Sequence, residues 1–472
     1  MIGGFEAWQA VTIRPAVAFH LPRGASARRA LAVEMRALPA DTPVVFCDGS
    51  RRGRGACRRV ARRAGIELQG EYLAIPSLRC PRYLVEDAPE TLGYLRSELA
   101  MLPLRSPALA VAGLTLRVAG ALGLWRPLAA ATSCRVAVGL PLPHGPAVLA
   151  RAVAARVGER ELRSLLLLTS RDPNAKVTVL LFRPGDPRPA YAVKLPTTGP
   201  AETATRREQR LLHDLRRADV GPLAASLPRP LAEVDAQGRR ALLMSAVGGS
   251  PMFTAYHRWR HTSSRPAVRA DFDAAGSWLT EFQRRTASPP AAPDGGGATL
   301  AVLRRRFPEE TAALGRLERL QAVMARAPAP RTAVHGDFWA GNLLVSGGRV
   351  TGVVDWEAGS TCGDPVGDLV RFALSYALYL DRHTRPGARV HGHPGLRAGR
   401  WGAGVEYAIA GDGWFPDLFR DFVRRGLARL GIAPELWRPA VLAGLAEVAA
   451  TADHGGFARS HLELFGSLAE AA

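Results

Sequence analysis

The residue types with the clearest chemical potential lie in one stretch. It runs Ala333-Val334-His335-Gly336-Asp337-Phe338-Trp339-Ala340-Gly341-Asn342-Leu343-Leu344-Val345 and continues to Val353-Val354-Asp355-Trp356-Glu357. His335-Gly336-Asp337 sets a carboxylate in a glycine-eased loop, and Asn342 follows five residues on. Residues 343–346 and 349–355 alternate or run apolar around Gly347-Gly348, a pair suited to a two-residue type I′ hairpin. Pairing Ser346 with Arg349 puts Asn342 opposite Val353 with Asp355 just beyond, so amide and carboxylate converge at the open end of the hairpin. An amide oxygen and a carboxylate are hard ligands that suit Mg²⁺ held against nucleotide phosphates. Asp337, on the loop leading in, is placed to accept a proton from an attacking hydroxyl.

Three regions must position these groups. Residues 1–155 are Arg- and Ala-rich and read as an α/β accessory domain of unknown role. In it a strand (Val44–Cys47), a helix (Ala56–Ala64), a strand (Glu67–Pro76) and Pro81–Val85 resemble the closing part of a class I methyltransferase, with too little chain upstream for the usual first half. The string Gly49-x-x-x-Gly53-x-Gly55 follows the first strand but is not G-x-G-x-x-G, and reads as a loop. Residues 156–248 change to short strands, Leu165–Thr169, Val177–Phe182 and Ala190–Pro196, then a helix from Ala201 to about Arg217 and two strands ending in Ala241–Val247. Residues 249–472 are mainly helical, with Phe272–Arg285 and Leu300–Ala325 as helices, the second interrupted at Pro308. Pro289–Gly297 reads as a surface loop.

The pattern H-G-D-x-x-x-x-N, a hairpin and D-W-E resembles the catalytic core of the aminoglycoside phosphotransferase family, kinase-like phosphotransferases of small molecules. The recognisable motifs cover about residues 160–380. The resemblance implies an α+β, two-lobed protein-kinase-like fold, with a small mainly β N-lobe and a helical C-lobe, behind the accessory domain. It implies ATP- and Mg²⁺-dependent transfer of the γ-phosphoryl group to a hydroxyl of a small molecule. Asp337 is then the catalytic base, Asn342 and Asp355 the metal ligands, His335 a loop organiser, and Asp364 and Asp368 braces of that loop. Lys194, ending Tyr191-Ala192-Val193-Lys194, stands where kinase-like folds set a lysine against the α- and β-phosphates. Its glutamate partner is Glu202 or Glu208. Helical spacing favours Glu208, which shares a face with Leu211, Leu212 and Leu215. Ser245, Ala246 and Val247 correspond to the hinge edge whose backbone could meet adenine. One departure stands out: residues 169–175, Thr169-Ser170-Arg171-Asp172-Pro173-Asn174-Ala175, lack the glycines that close over phosphates in protein kinases. Ser170 or Asn174 are the candidate side-chain substitutes.

Composition narrows the alternatives. The formal net charge is +20, yet all basic residues but Lys176 and Lys194 are arginine, which reads as composition bias rather than a selected patch. Residues 1–150 hold 19 Arg against 10 acids, with Arg51, Arg52, Arg54, Arg58, Arg59, Arg62 and Arg63 clustered. No aromatic residue is interleaved to stack bases, which argues against nucleic acid. Five cysteines without C-x-x-C argue against a disulfide framework or a zinc site. The most apolar stretch, Pro103–Pro127, is broken by Arg105, Arg117 and Arg126, so no membrane span is expected. No secretory signal is evident, and a cytoplasmic location is expected. Residues 376–472 hold ten acids and eleven arginines, so a neutral or anionic acceptor such as a sugar or polyol is expected over a polycationic aminoglycoside. The competing reading is a catalytically weak, nucleotide-binding pseudokinase or scaffold whose Arg-rich N-terminal region meets an acidic partner.

Overall fold

A computed structural model describes residues 7–39, 41–48, 55–78, 81–99, 115, 118, 123–124, 134–141, 146–168, 175–290, 297–327 and 329–470. The Gly49–Gly53 pattern, Arg51, Arg52, Arg54, Ser170, Asn174 and most of Pro103–Pro127 and of the Pro289–Gly297 loop lie outside the described residues. The chain divides into two compact units: residues 1–100, 111–209 and 229–246, and residues 101–110, 210–228 and 247–472.

The first unit is built on a ten-stranded sheet ordered β1-β2-β5-β3-β4-β6-β7-β8-β10-β9. In chain order these are β1 Val17–His20, β2 Val44–Asp48, β3 Glu67–Ile75, β4 Tyr83–Glu86, β5 Cys134–Leu140, β6 Arg163–Leu167, β7 Lys176–Phe182, β8 Pro189–Pro196, β9 Pro230–Ala236 and β10 Arg239–Ser245. β1 and β2 are parallel and are joined through the helix Ala25–Arg36, as a parallel crossover requires. β5 is inserted antiparallel between β2 and β3. The sheet runs unbroken past residue 155, because β4 pairs with β6 through Tyr83–Leu167, Leu84–Leu166 and Val85–Leu165. β7 shows the period-two alternation of a strand with one face in a core: Val177, Val179 and Leu181 are buried and the residues between them are half-buried. The strand expected at Leu165–Thr169 runs instead over Arg163–Leu167. The last strand stops at Ser245 rather than Val247.

The second unit is mainly helical. Its core gathers the helices Arg265–Thr286, Pro365–Leu378, Trp414–Arg429 and Trp437–Thr451 around Phe272, Phe372, Phe415 and Phe422. Pro308, with no N–H to give, separates the helices Gly297–Arg306 and Thr311–Met324, as expected. A first unit that combines a large sheet with helices, and a helical second unit, make the protein α+β. Among the described residues, no helix is long and apolar enough to cross a membrane.

Candidate active site

In the first unit, Val193 and Leu195 of β8 enter the sheet's core, so Lys194 between them projects from the opposite face. The helix Gly199–Arg217 carries Glu208, fully buried, and the Lys194 Nζ lies 2.6 Å from both its carboxylate oxygens. Glu202 is rotated onto the exposed side and pairs with Arg206. Helical phase thus selects between the two glutamates as expected. A buried pair of this kind is costly to break, about 3–5 kcal/mol, because the remaining charge is stranded.

β10, which ends at Ser245, lies between β8 and β9 rather than at the sheet's edge, and two backbone donors of the adenine reading are already engaged. Ser245 donates its N–H to Arg229 O (2.9 Å) and Ala246 donates its N–H to Ala190 O (3.0 Å), so both donors are consumed by the fold. Val247 is the first residue past those two bonds.

In the second unit, His335-Gly336-Asp337 forms a tightly braced loop. Asp368, near the start of the helix Pro365–Leu378, accepts the N–H of His335 (2.6 Å) and of Gly336 (2.8 Å) on its two oxygens. Burial pushes the Asp368 carboxyl up, opposed by His335 and these hydrogen bonds. Asp364 caps the same helix, accepting the Val366 N–H at 2.9 Å. The His335 Nδ1 accepts the Asp337 N–H (3.2 Å), so its Nε2 carries the proton and donates to Val354 O (2.9 Å). This ties the loop to the hairpin. Gly336 has φ 77°, and a Cβ there would run into the carbonyl of Ala358.

The hairpin forms with Gly347 and Gly348 both at positive φ, as a type I′ turn demands. Its register departs from simple pairing. Leu343 faces Val353 and Val345 faces Val350, with a bulge that leaves Thr351 extra. Asn342 therefore lies opposite Val354, whose N–H donates to Asn342 O (2.9 Å), rather than opposite Val353. The slip brings Asp355 one residue nearer to Asn342 along the ladder. Asp355 sits in the left-handed region at φ 71°, ψ 58°, a conformation a non-glycine residue adopts at a cost. A carboxylate oxygen of Glu357 comes within 4.8 Å of one of Asp355.

Asp337 is half-buried and its oxygens have distinct partners. Oδ1 accepts from Arg371 Nε (3.0 Å) and Nη2 (2.6 Å), while Oδ2 accepts from Asn342 Nδ2 (3.1 Å). The same Nδ2 also donates to Asp337 O (2.9 Å), which commits the nitrogen end of the Asn342 amide and leaves Oδ1 as its ligand atom. The donor set of Asn342 Oδ1 and Asp355 carboxylate is all hard oxygen and fits Mg²⁺.

Asp337 also lines a cavity of about 190 Å³. One stripe of the helix Pro365–Leu378, at Arg371, Leu374, Ser375 and Leu378, forms part of its wall. Arg371 escaped the sequence reading because nothing local distinguishes it among sixty arginines. Glu357 had a usable signal, its place in D-W-E, that was given no role.

Residues 173–401 match the model of the phosphotransferase enzyme family. Aminoglycoside phosphotransferase APH(2'')-Ib, solved with ADP, is 17% identical, and the alignment covers 68% of this chain and 96% of that one at TM-score 0.38. Macrolide 2'-phosphotransferase MphH from Brachybacterium faecium is 20% identical over 68% and 97%, at TM-score 0.38. A thermostable mutant of aminoglycoside phosphotransferase APH(4)-Ia is 13% identical over 68% and 99%, at TM-score 0.44. Comparison with curated proteins returns no match.

Proposed function

We propose, on the premise that residues 173–401 form a domain of the phosphotransferase enzyme family, that this protein transfers the γ-phosphoryl group of ATP to a hydroxyl of a small molecule. The observation that carries the reading is the state of Asp337. Its carboxylate is positioned by a loop whose backbone is clamped by Asp368, and it is half-buried beside a cavity. Arg371 holds Oδ1, and Oδ2 takes a single amide N–H, so Oδ2 is the oxygen for the acceptor's proton. As the hydroxyl oxygen bonds to phosphorus, the bond to ADP breaks and the proton passes to Asp337.

Lys194, held by Glu208, would hold the α- and β-phosphates, and Val247 would meet the base. Asn342 Oδ1 and Asp355 would hold Mg²⁺, which when bound neutralises phosphate charge. Loss of covalent work for the protein means that positioning and charge dominate. Residues 1–155 are proposed as an accessory portion that extends the N-lobe sheet, its β2-β5-β3 order with an antiparallel insertion being in keeping with a methyltransferase-type closing half.

A second reading, a nucleotide-binding scaffold without transfer, draws on the same Arg371 contact, which occupies one of the two carboxylate oxygens of Asp337. Labelled phosphate transfer from [γ-³²P]ATP, with Mg²⁺ and a panel of hydroxyl compounds, separates the two. Transfer that disappears in Asp337→Asn supports the enzyme. Mg²⁺-dependent nucleotide binding with no transfer to any acceptor supports the scaffold.

A further inference from the structure

The cavity beside Asp337 has a chemistry of its own, formed entirely within the second unit. Among the described residues only two charged side chains line it, Asp337 and Arg371, and they pair with each other at 2.6 Å. The lining thus has no spare carboxylate to receive an ammonium group. Leu445 and Val448 from the helix Trp437–Thr451 and Phe457 from the helix Gly455–Glu470 make further wall apolar, together with the leucines already described. The remaining polar lining is Trp339, Ser375, Tyr379 and His461, with the Ser375 hydroxyl already donating to Phe372 O, so a polyol would bring more hydroxyls than the wall can satisfy, and each unpaired one costs desolvation.

One polar atom stands apart. His461 lines the cavity and is 4% exposed, and its Nδ1 lies 2.8 Å from the carbonyl of Phe457, one turn earlier on the same helix. A carbonyl only accepts, so Nδ1 carries the hydrogen and Nε2 bears a lone pair. Trp401 and Phe457 pack edge-on to the ring at 4.8 and 4.3 Å and fix its plane. Burial lowers the His461 pKa to about 4, which keeps the ring neutral near pH 7. A neutral, immobilised acceptor in an apolar wall is a reader of one O–H or N–H, since a ligand lacking that donor leaves the lone pair dry.

We infer that this cavity takes a small, uncharged alcohol with an apolar body and a second hydrogen-bond donor, and that His461 Nε2 reads that second donor. The inference rests on the phosphotransferase reading for the fate of the first hydroxyl, but binding in the cavity does not depend on transfer.

The test uses the full chain and two probes differing by one hydroxyl, 1-phenylethane-1,2-diol and 2-phenylethanol, with myo-inositol and kanamycin as polyol and polycation. Binding is followed by ligand-observed NMR and transfer by labelled ATP. The wild type should bind the diol more tightly than the mono-alcohol, and both more tightly than inositol or kanamycin. His461→Phe should weaken the diol about tenfold, in Kd or KM, the worth of one hydrogen bond. It should leave kcat and the mono-alcohol within about a factor of two, and His461→Gln, which restores an acceptor, should recover most of the diol affinity. A structural role for His461 would move both alcohols together, and that result overturns the inference. So does failure of both alcohols to bind, or a higher kcat/KM for inositol or kanamycin. Binding of the diol that depends on His461 without phosphorylation upholds the cavity's chemistry and refutes the phosphotransferase reading instead.

Discussion

Each unit contributes one polar cluster to the proposed function, and the two are stabilised in opposite ways. Lys194 and Glu208 are a dry pair: the carboxylate is fully buried, the ammonium nearly so, and each satisfies the other at 2.6 Å. Asp337 is half-exposed, and its place is secured indirectly, through backbone N–H groups of its neighbours clamped by Asp368 and through the His335 ring. The first arrangement fixes a side chain by charge, the second fixes a backbone and leaves the side chain accessible. The proposed proton transfer would need the second, because a base must reach both its acceptor and its brace. The proposed phosphate contact would need a preorganised cation, which the first arrangement would provide.

The comparison can be broken at several points. Asp337→Asn should give the largest effect, a loss of about 10²–10⁴ in kcat. Nucleotide affinity should survive, which equilibrium binding in the presence of Mg²⁺ would check. Asn342→Ala or Asp355→Ala should instead weaken that Mg²⁺-dependent binding.

Lys194→Arg preserves charge but puts a planar fork where a compact ammonium bridges two oxygens of a buried carboxylate. A fall of roughly 10²–10³ in kcat is expected, as for loss of one preorganised donor. Lys176→Arg is the internal control and should stay within about a factor of two of the wild type in the same assay.

Asp368→Ala strips two backbone N–H groups of their acceptor. Thermal or denaturant unfolding should show a loss of about 2–5 kcal/mol. Turnover in the folded fraction should drop roughly a hundredfold as Asp337 loses its position. A stable Asp368→Ala with full turnover would show that the loop does not need its brace.

The smallest effect concerns pH. His461 has its folded pKa lowered to about 4, below the ordinary value of 6.5, through burial. Between those values the unfolded chain binds more protons, so stability falls as pH drops from 6.5 towards 4. His461→Phe should flatten that acid limb and leave stability above pH 7 without further pH dependence from this residue. Urea midpoints measured from pH 4 to 8 would show whether the limb is unchanged.

Much of the candidate site is legible because it is local. The loop carrying Asp337, the Gly347-Gly348 turn and the choice of Glu208 over Glu202 each depend on residues within about two helical turns or one hairpin. Turn chemistry and helical phase act over that range. The β5 insertion is not legible, since strand pairing between residues far apart has no signature in either strand alone. Nor is the Thr351 bulge, because the sequence 349–353 alternates as acceptably without it.

From sequence alone came the residue types and the short-range geometry: a carboxylate in an H-G-D loop, an amide and a carboxylate at a hairpin's open end, and a lysine–glutamate pair one strand and one helix apart. Backbone sterics and side-chain periodicity determine these within a few residues. Only the tertiary structure decided that Arg371, 34 positions from Asp337, takes one of its oxygens. It also decided that the Ser245 and Ala246 N–H groups are consumed by the sheet, and that His461 joins the cavity wall. These contacts depend on which helices and strands pack together, and packing is chosen by the burial of the whole apolar surface rather than by any spacing along the chain.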